Sequence, residues 1–209
     1  MNINKKEIMG FEKLYRTNFV NSLSGFKSAN LIGTISKEGK TNLAIFSSVI
    51  HVGANPPAIG FLMRPVSVER HTYNNIKETN YFTINHINKE IFKKAHQTSA
   101  RYDKDVSEFD ECRLTPEYRD TIKAPYVKES QIKIGCRFVE ELEIKFNGTI
   151  FIVGEILEVI LPDDTVGGDG FVDIEKAGTI AISGLDGYHD TKRIARLSYA
   201  KPGIEPKEI

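Results

Sequence analysis

The most regular pattern in the sequence is a two-residue alternation of apolar and polar positions in its second half. It runs through residues 132–138, continues through residues 142–146 and ends at Asn147-Gly148. Such alternation indicates half-buried strands, and Asn-Gly is the strongest short signal for a hairpin turn. The returning segment, residues 149–161, changes the phase of its apolar positions near Gly154. This break predicts a bulge or bend that lets a long strand curl around a barrel.

Further strands are predicted in the first half of the chain. Residues 28–36 and 41–50 are β-like runs joined by the short turn KEGK, so they are expected to form a hairpin. After the Asn55-Pro56-Pro57 corner, residues 58–63 form an almost continuous apolar run, short enough to be a buried strand. Residues 81–85, YFTIN, are typical of another strand.

Helical signals occur in two short segments between these strands. Ser67 is placed as an N-cap for a helix from Val68 to about Glu78. Asn88 can cap a second helix, whose apolar face includes Ile91. Antiparallel strands with a few peripheral helices predict a mainly β barrel, and no GxGxxG motif points to a parallel nucleotide-binding sheet.

The whole chain is expected to form one domain, residues 1–209, with residues 200–209 as an extended C-terminal tail. Lys and Arg together number 28, as do Asp and Glu, so no net field attracts nucleic acid or a membrane surface. The chain begins without a signal peptide and has no apolar run of about 18 residues, the length that spans a bilayer. We therefore expect a cytoplasmic protein with neither nucleic-acid nor membrane partners.

Residues capable of metal or acid chemistry do not form recognisable motifs. Cys112 and Cys136 are far apart and are interpreted as plain thiols, and no histidine spacing predicts a metal site. The acidic cluster between Asp103 and Glu111 is interpreted as a short helix that starts near Ser107, not as a pair of catalytic carboxylates.

The segment from Arg64 to Asn75 carries the strongest signal for a binding site. It places Arg64 at a strand end and Ser67 at a helix start, followed by further basic and polar side chains. Free N–H groups at a helix start, next to an arginine, are the kind of donors that bind an anion. The alternative is an ordinary capped helix whose arginines make surface ion pairs.

A family resemblance extends this interpretation. The segments NLAIFSSV, GANPPAIGFLMRP, RHTYNNIKETNYFTIN, AHQTSARYDKDVSEFDE and SGLDGYH, in this order, resemble the flavin-reductase-like FMN-binding split-barrel family. The resemblance covers roughly Leu31 to Pro202. It implies a six-stranded antiparallel Greek-key split barrel with short peripheral helices. It also implies a homodimer with one FMN per subunit near the dimer interface.

The resemblance also implies positions for the site residues. Those expected beside the flavin ring are Asn42, Ala44, Phe46, Ser47 and Ser48. Those expected on the phosphate side are Arg64, Ser67 and Thr72. Further residues expected near the flavin are Asn85, His96, Ser99 and Tyr188. Each of these also has an ordinary structural interpretation, such as a strand end, a turn or a helix terminus.

The expected activity follows from the cofactor. A flavin reductase transfers a hydride from NADH or NADPH to N5 of FMN, while the protein supplies position and electrostatics. The electron acceptor is left open, and a redox partner protein is one option. Two alternatives remain: a non-catalytic FMN-binding electron carrier of the flavoredoxin type, and a split barrel that has lost flavin and serves as a binding module.

Overall fold

The computed structural model describes residues 1–209, and a seven-stranded antiparallel sheet dominates it. In sheet order the strands are β3 (Thr41–Phe46), β2 (Asn30–Ile35), β6 (Tyr81–His86), β9 (Lys133–Ile144), β10 (Thr149–Ile160), β5 (Pro57–Met63) and β4 (Ile50–Ala54). The mainly β antiparallel architecture is confirmed. The edge strands β3 and β4 follow each other in sequence, joined only by residues 47–49.

Smaller elements surround this sheet. A three-stranded sheet contains β1 (Lys27–Ser28), β11 (Ala181–Ser183) and β12 (Gly187–His189), and a pair contains β7 (Pro116–Glu117) and β8 (Tyr126–Val127). The helices are α1 (Lys5–Gly10), α2 (Lys13–Ser22), α3 (His71–Thr79), α4 (Phe92–Gln97) and α5 (Glu108–Glu111). None of them is both long and apolar enough to cross a membrane. Residues 200–209 are all exposed.

The sheet curls until its two ends approach each other. Phe46 on β3 and Phe61 on β5 lie near opposite ends of the strand order, yet their ring centroids are 4.9 Å apart. Phe61 in turn contacts Phe82 on β6, with centroids 5.5 Å apart. The inner faces of the strands therefore enclose one core, which also holds Ile32 and Ile152.

The predicted hairpin at Asn147-Gly148 is confirmed, as is the irregularity near Gly154. The first arm is one continuous strand, β9, where the sequence suggested two runs. Its pairing with β10 shifts between Val153 and Gly154, which leaves Val139 without a direct partner. Beyond the shift, Glu141 and Glu143 lie opposite the buried Ile152 and Ile150, and the apolar Leu142 and Ile144 are exposed on the other face.

The prediction of one strand over residues 41–50 is wrong. The strand β3 ends at Phe46, and residues 50–54 form β4, which pairs with β5. The Ser48 hydroxyl causes the break, since its Oγ donates to the Leu62 carbonyl at 3.2 Å and accepts from the Leu62 N–H at 3.1 Å. This extra strand gives the principal sheet seven strands where six were expected.

The predicted start of α3 is also wrong. The helix begins at His71, not Val68, and Ser67 lies in a turn without capping it. Val68 is 45% exposed, so it has no core contact that would favour helix at this point. Instead Arg70 is extended, and its Nε donates to the Pro65 carbonyl at 3.3 Å, which closes the loop.

The second predicted helix is present, but its start differs. Asn88 does not cap α4 itself; its Oδ1 accepts from the N–H groups of Glu90 and Ile91 at 3.0 and 3.2 Å, in the turn before the helix. The short helix expected after Ser107 is confirmed as α5. Ser107 Oγ bonds Thr41 Oγ1 at 2.7 Å and leaves the start of α5 without a side-chain cap.

A second core lies on the outer face of β2 and β3. Leu31 and Leu43 point into it, while their neighbour Ile32 points into the core enclosed by the sheet. Helices α4 and α5 and strand β11 cover this outer face through Ala95, Phe109 and Ile182. The strand β3 is thus buried on both faces but has a sheet neighbour on one side only.

Candidate functional site

The free edge of β3 is the centre of the candidate site. Thr34, Ile32 and Asn30 on β2 face Asn42, Ala44 and Phe46 on β3. The Leu43 N–H points the other way, because it donates to the Glu108 carboxylate at 2.9 Å. Backbone groups of a strand alternate in direction, so the N–H and C=O of Ile45 also face the free edge. No strand pairs with them.

A buried polar network lies on the inner face of β3, at its N-terminal end. Asn42 Nδ2 donates to Thr72 Oγ1 at 2.9 Å and to Thr34 Oγ1 at 3.3 Å. Asn75 Nδ2 donates to the same Thr34 hydroxyl at 3.1 Å. The network fastens the first turn of α3 against β2 and β3, and it brings together the predicted site residues Asn42 and Thr72.

The start of α3 offers unused donors beside this network. Its N-cap, Arg70, provides no side-chain hydrogen bond, and the first helical bond is that of the Asn74 N–H to the Arg70 carbonyl. The preceding N–H groups therefore have no side-chain partner. Arg64 is exposed, as is Ser67, and both lie in the loop that leads to this helix start. An uncapped start with two nearby arginines attracts an anion.

Glu108 lies against the free edge and is 6% exposed. Burial raises the pKa of this carboxyl, while its hydrogen bond from the Leu43 N–H and the nearby His71 act in the opposite direction. Its carboxylate occupies one outward-facing N–H of β3 and leaves the next residues of that edge open.

The outer face of β3 carries a second group of predicted residues. A hydrogen bond of 3.0 Å joins the Tyr188 hydroxyl to His96 Nδ1. The Tyr188 ring contacts Phe92, with centroids 5.4 Å apart, and both pack against the outer core, as Ile45 also does. Burial, with a smaller contribution from Asp186, raises the pKa of Tyr188 to about 12, so its hydroxyl is neutral at physiological pH.

The predicted residues thus fall into groups on either side of one strand edge. Asn42 and Thr72 lie towards the inner face, and His96 and Tyr188 lie towards the outer face. Ala44, Phe46 and Ser47 are partly buried along β3 and its end. The Phe46 ring packs against the enclosed core, and its backbone pairs with Asn30 of β2 and does not face the free edge.

Asn85 and Ser48 have their side-chain polar atoms engaged within the protein, whereas Ser99 uses only its backbone. Asn85 is fully buried; its Nδ2 donates to the Leu31 carbonyl at 3.1 Å and its Oδ1 accepts from the Val127 N–H at 2.9 Å. Ser48 bonds Leu62 in both directions, as described above. Ser99 is exposed, and its backbone N–H donates to the His96 carbonyl at 3.0 Å.

Two residues of this region were not identified from the sequence. Thr34 appears there as one position in a β-like run, and its role depends on contacts with Asn75, 41 positions away. Glu108 appears as one of several acidic residues. Its one distinguishing signal is that it precedes Phe109, an apolar residue in an otherwise polar stretch. In the structure both residues are buried.

Comparison with known proteins now places the chain in a family. The flavin reductase like domain matches residues 23–175, which is most of the chain. The chain belongs to the flavin reductase like family. The match includes β3, α3, α4 and α5, and so covers both the free edge and the uncapped helix start.

Known structures agree with this assignment. A proposed flavin reductase with a split barrel domain from Shewanella frigidimarina is 52% identical, with a TM-score of 0.92, and the alignment covers 96% of this chain and 100% of that one. Flavoredoxin of Desulfovibrio vulgaris is 22% identical, with a TM-score of 0.71 over 86% of this chain and 92% of that one, and it shows the fold alone.

A protein of Aquifex aeolicus is 32% identical over 137 residues, covering 65% of this chain and 68% of the relative. The split-barrel fold expected from the sequence is therefore confirmed, and family membership supports a flavin as the ligand.

Proposed function

We propose that this flavin reductase like protein binds FMN along the free edge of β3 and catalyses its reduction by NADH or NADPH. One observation carries the proposal: β3 has an unpaired edge that is open at Ile45, and Asn42 on the same strand contacts Thr72 at the uncapped start of α3. A flavin needs both features, because its ring presents donors and acceptors at its rim and its phosphate is an anion.

The donors available on the chain suit the phosphate. The backbone N–H groups of His71 and Thr72 open α3 without a side-chain cap, and Arg64 and Arg70 bring two guanidinium groups into the adjoining loop. Arginine presents paired N–H donors that match phosphate oxygens. Ser67, exposed in the same loop, is proposed as a further phosphate contact.

The edge itself suits the ring. Ile45 offers one N–H and one C=O, and Ser47 follows at the end of the strand with no side-chain partner inside the protein. FMN, when bound, supplies the redox chemistry by accepting a hydride at N5. The chain positions it, and backbone N–H donors would stabilise negative charge on the reduced ring.

His96 and Tyr188 have a different proposed role. The neutral Tyr188 hydroxyl is hydrogen-bonded to His96, and the Tyr188 ring packs against Phe92 and against the core on which Ile45 also packs. We propose that these side chains line the open edge, with the Tyr188 and Phe92 rings as its apolar part and the Tyr188–His96 hydrogen bond as its polar part. They would restrict water there and shape the surface on which a nicotinamide stacks.

We also propose a homodimer. Ile50 is 55% exposed and Leu62 40% exposed on adjoining strands next to the Ser48 bend, and Val66 and Val68 are exposed in the loop after Arg64. An apolar patch of this kind is characteristic of an interface, and a symmetric dimer would cover it. Its position beside the phosphate loop supports a flavin near the interface.

The test compares FMN with riboflavin in Arg64→Ala. Because only FMN carries the phosphate, this variant should weaken FMN by about tenfold or more and leave riboflavin nearly unchanged, as measured by flavin fluorescence quenching. Lys123→Ala, which changes an exposed cation in the loop before β8, is the matched control. Equal losses for both flavins would reject the phosphate site.

The reductase step is tested separately by anaerobic stopped-flow with NADH and with NADPH. Saturable bleaching of the bound flavin by at least one of them is expected. Slow and non-saturating bleaching by both would remove the enzymatic assignment and leave the electron carrier.

A further inference from the structure

Glu108 places a carboxyl group at a fixed point on the free edge of β3. It is 6% exposed, and its Oε2 accepts from the Leu43 N–H at 2.9 Å. The residues on either side of it fix this position. The Ser107 hydroxyl bonds the Thr41 hydroxyl on β3 at 2.7 Å, and Phe109 is buried in the outer core. The carboxyl group therefore cannot turn away from the edge into solvent.

No salt bridge neutralises this carboxyl group. The cationic group that acts on Glu108 is His71, at the start of α3. Lys40, which precedes β3, is paired with Asp105. On α5 itself, Glu108 helps to raise the pKa of the buried Cys112 thiol. When Glu108 ionises, its charge therefore also acts on a ligand that lies along the edge.

The open part of the edge begins close to this charge. Ile45 follows Leu43 by two residues, and a strand rises about 3.4 Å per residue, so their N–H groups are about 7 Å apart. Charges at this distance interact appreciably where water is excluded, because the effective dielectric constant is low there. A ligand hydrogen-bonded to Ile45 thus lies within the electric field of the Glu108 carboxylate.

We infer that the Glu108 carboxylate lowers the reduction potential of a flavin bound along the free edge of β3. The inference rests on the proposed function, because that function places the flavin ring at Ile45. The ring gains a negative charge when it accepts a hydride, and a nearby carboxylate disfavours that charge. Ionised Glu108 therefore weakens the binding of reduced flavin more than that of oxidised flavin. The reduced flavin becomes a stronger electron donor to the acceptor that follows.

The experiment measures the reduction potential of FMN bound to the full chain, by anaerobic spectroscopic titration against a reference dye at pH 8. In Glu108→Gln the amide oxygen still accepts from the Leu43 N–H, so the charge is removed and the hydrogen bond is kept. We expect reduced FMN to bind about tenfold more tightly relative to oxidised FMN, which raises the two-electron potential by about 30 mV.

Glu111→Gln is the matched control, because it removes the charge of an exposed residue on the same helix. It should change the ratio of the two Kd values less than twofold.

The pH dependence separates the charge of Glu108 from its shape. Burial raises the pKa of Glu108 above 4.5, so its charge is smaller at pH 5 than at pH 8. The difference in potential between Glu108→Gln and the unmodified protein should therefore grow from pH 5 to pH 8. His71 and Cys112 face Glu108 in both proteins, so the comparison isolates Glu108. A difference of equal size at both pH values would indicate altered packing and overturn the inference.

Two results at pH 8 would also overturn it while FMN binding persists: an unchanged potential in Glu108→Gln, or equal shifts in Glu108→Gln and Glu111→Gln. If Glu108→Gln does not fold, Glu108→Met removes the charge with an unbranched apolar side chain, and the same shift is expected. Failure of the unmodified protein to bind FMN would instead reject the proposed function.

Discussion

Gly154 is the position at which a single methyl group should disturb the enclosed core most clearly. It lies in β10 at the register shift opposite β9. A Cβ atom added there would be 2.4 Å from Cζ of Phe82, 2.8 Å from its Cε1 and 3.1 Å from Cβ of Cys136. Phe82 and Cys136 are both fully buried, so neither side chain can move into solvent.

The cost follows from these distances. Two contacts below 3.0 Å cannot persist, so either the Phe82 ring leaves its rotamer or β10 moves away from β9. Overpacking of this kind lowers the free energy of unfolding by about 1–3 kcal/mol. For a chain of this size, Gly154→Ala should lower Tm by roughly 2–12 °C. Urea denaturation gives the free energy, and thermal unfolding gives Tm.

Two further variants test the cause. Gly168→Ala adds the same methyl group where no atom lies within 4 Å, and it should change stability by less than about 0.5 kcal/mol. Phe82→Leu destabilises the protein alone, but combined with Gly154→Ala it should recover about 1 kcal/mol relative to additivity. If Gly154→Ala is as stable as Gly168→Ala, the packing at the register shift is not as described.

Two other predictions concern Glu108 at the free edge of β3 and the contacts of Arg196 in the C-terminal segment. Burial raises the pKa of Glu108 above its ordinary value of 4.5, so ionising this carboxyl lowers the free energy of unfolding. This cost is absent at low pH and grows as the pH rises above 4.5. Glu108→Gln should therefore flatten the decline in unfolding free energy between pH 4.5 and neutrality. Identical pH profiles would contradict this. Arg196 lies 4.0 Å above the Phe171 ring and pairs with Asp169, so Arg196→Ala should speed tryptic cleavage at Lys192 roughly threefold, whereas an unchanged rate would show that these contacts do not hold the segment.

The sequence predicts those parts of the fold whose information is local. The β9–β10 hairpin follows from alternation and Asn147-Gly148, and the bend follows from the phase change near Gly154. The helix α1 carries an equally local signal, the reciprocal cap between Asn4 and Glu7. These features depend on neighbours a few positions apart.

Parts that depend on distant contacts were missed. The end of β3 is set by the Ser48 hydroxyl, whose partner Leu62 is 14 positions away. The late start of α3 reflects the absence of any core for Val68 to join, which no spacing rule detects. At the site, alternation shows that Asn42, Ala44 and Phe46 share a face of β3. It does not show which side of the strand lacks a neighbour, because that depends on the order of all seven strands.

The open side of β3 distinguishes a binding site from a merely exposed strand. Unpaired strand edges invite association with other chains, and folded proteins usually cover them. Here Glu108 of α5 covers the edge at Leu43, and burying its carboxylate costs desolvation energy. A further strand paired along the whole edge would make this buried carboxylate unnecessary. The covering stops before Ile45, whose side chain packs against the same core cluster as Tyr188. An edge that is protected at one residue and left open at the next, with an anion-attracting helix start beside it, is best explained by a ligand that completes the hydrogen bonding itself.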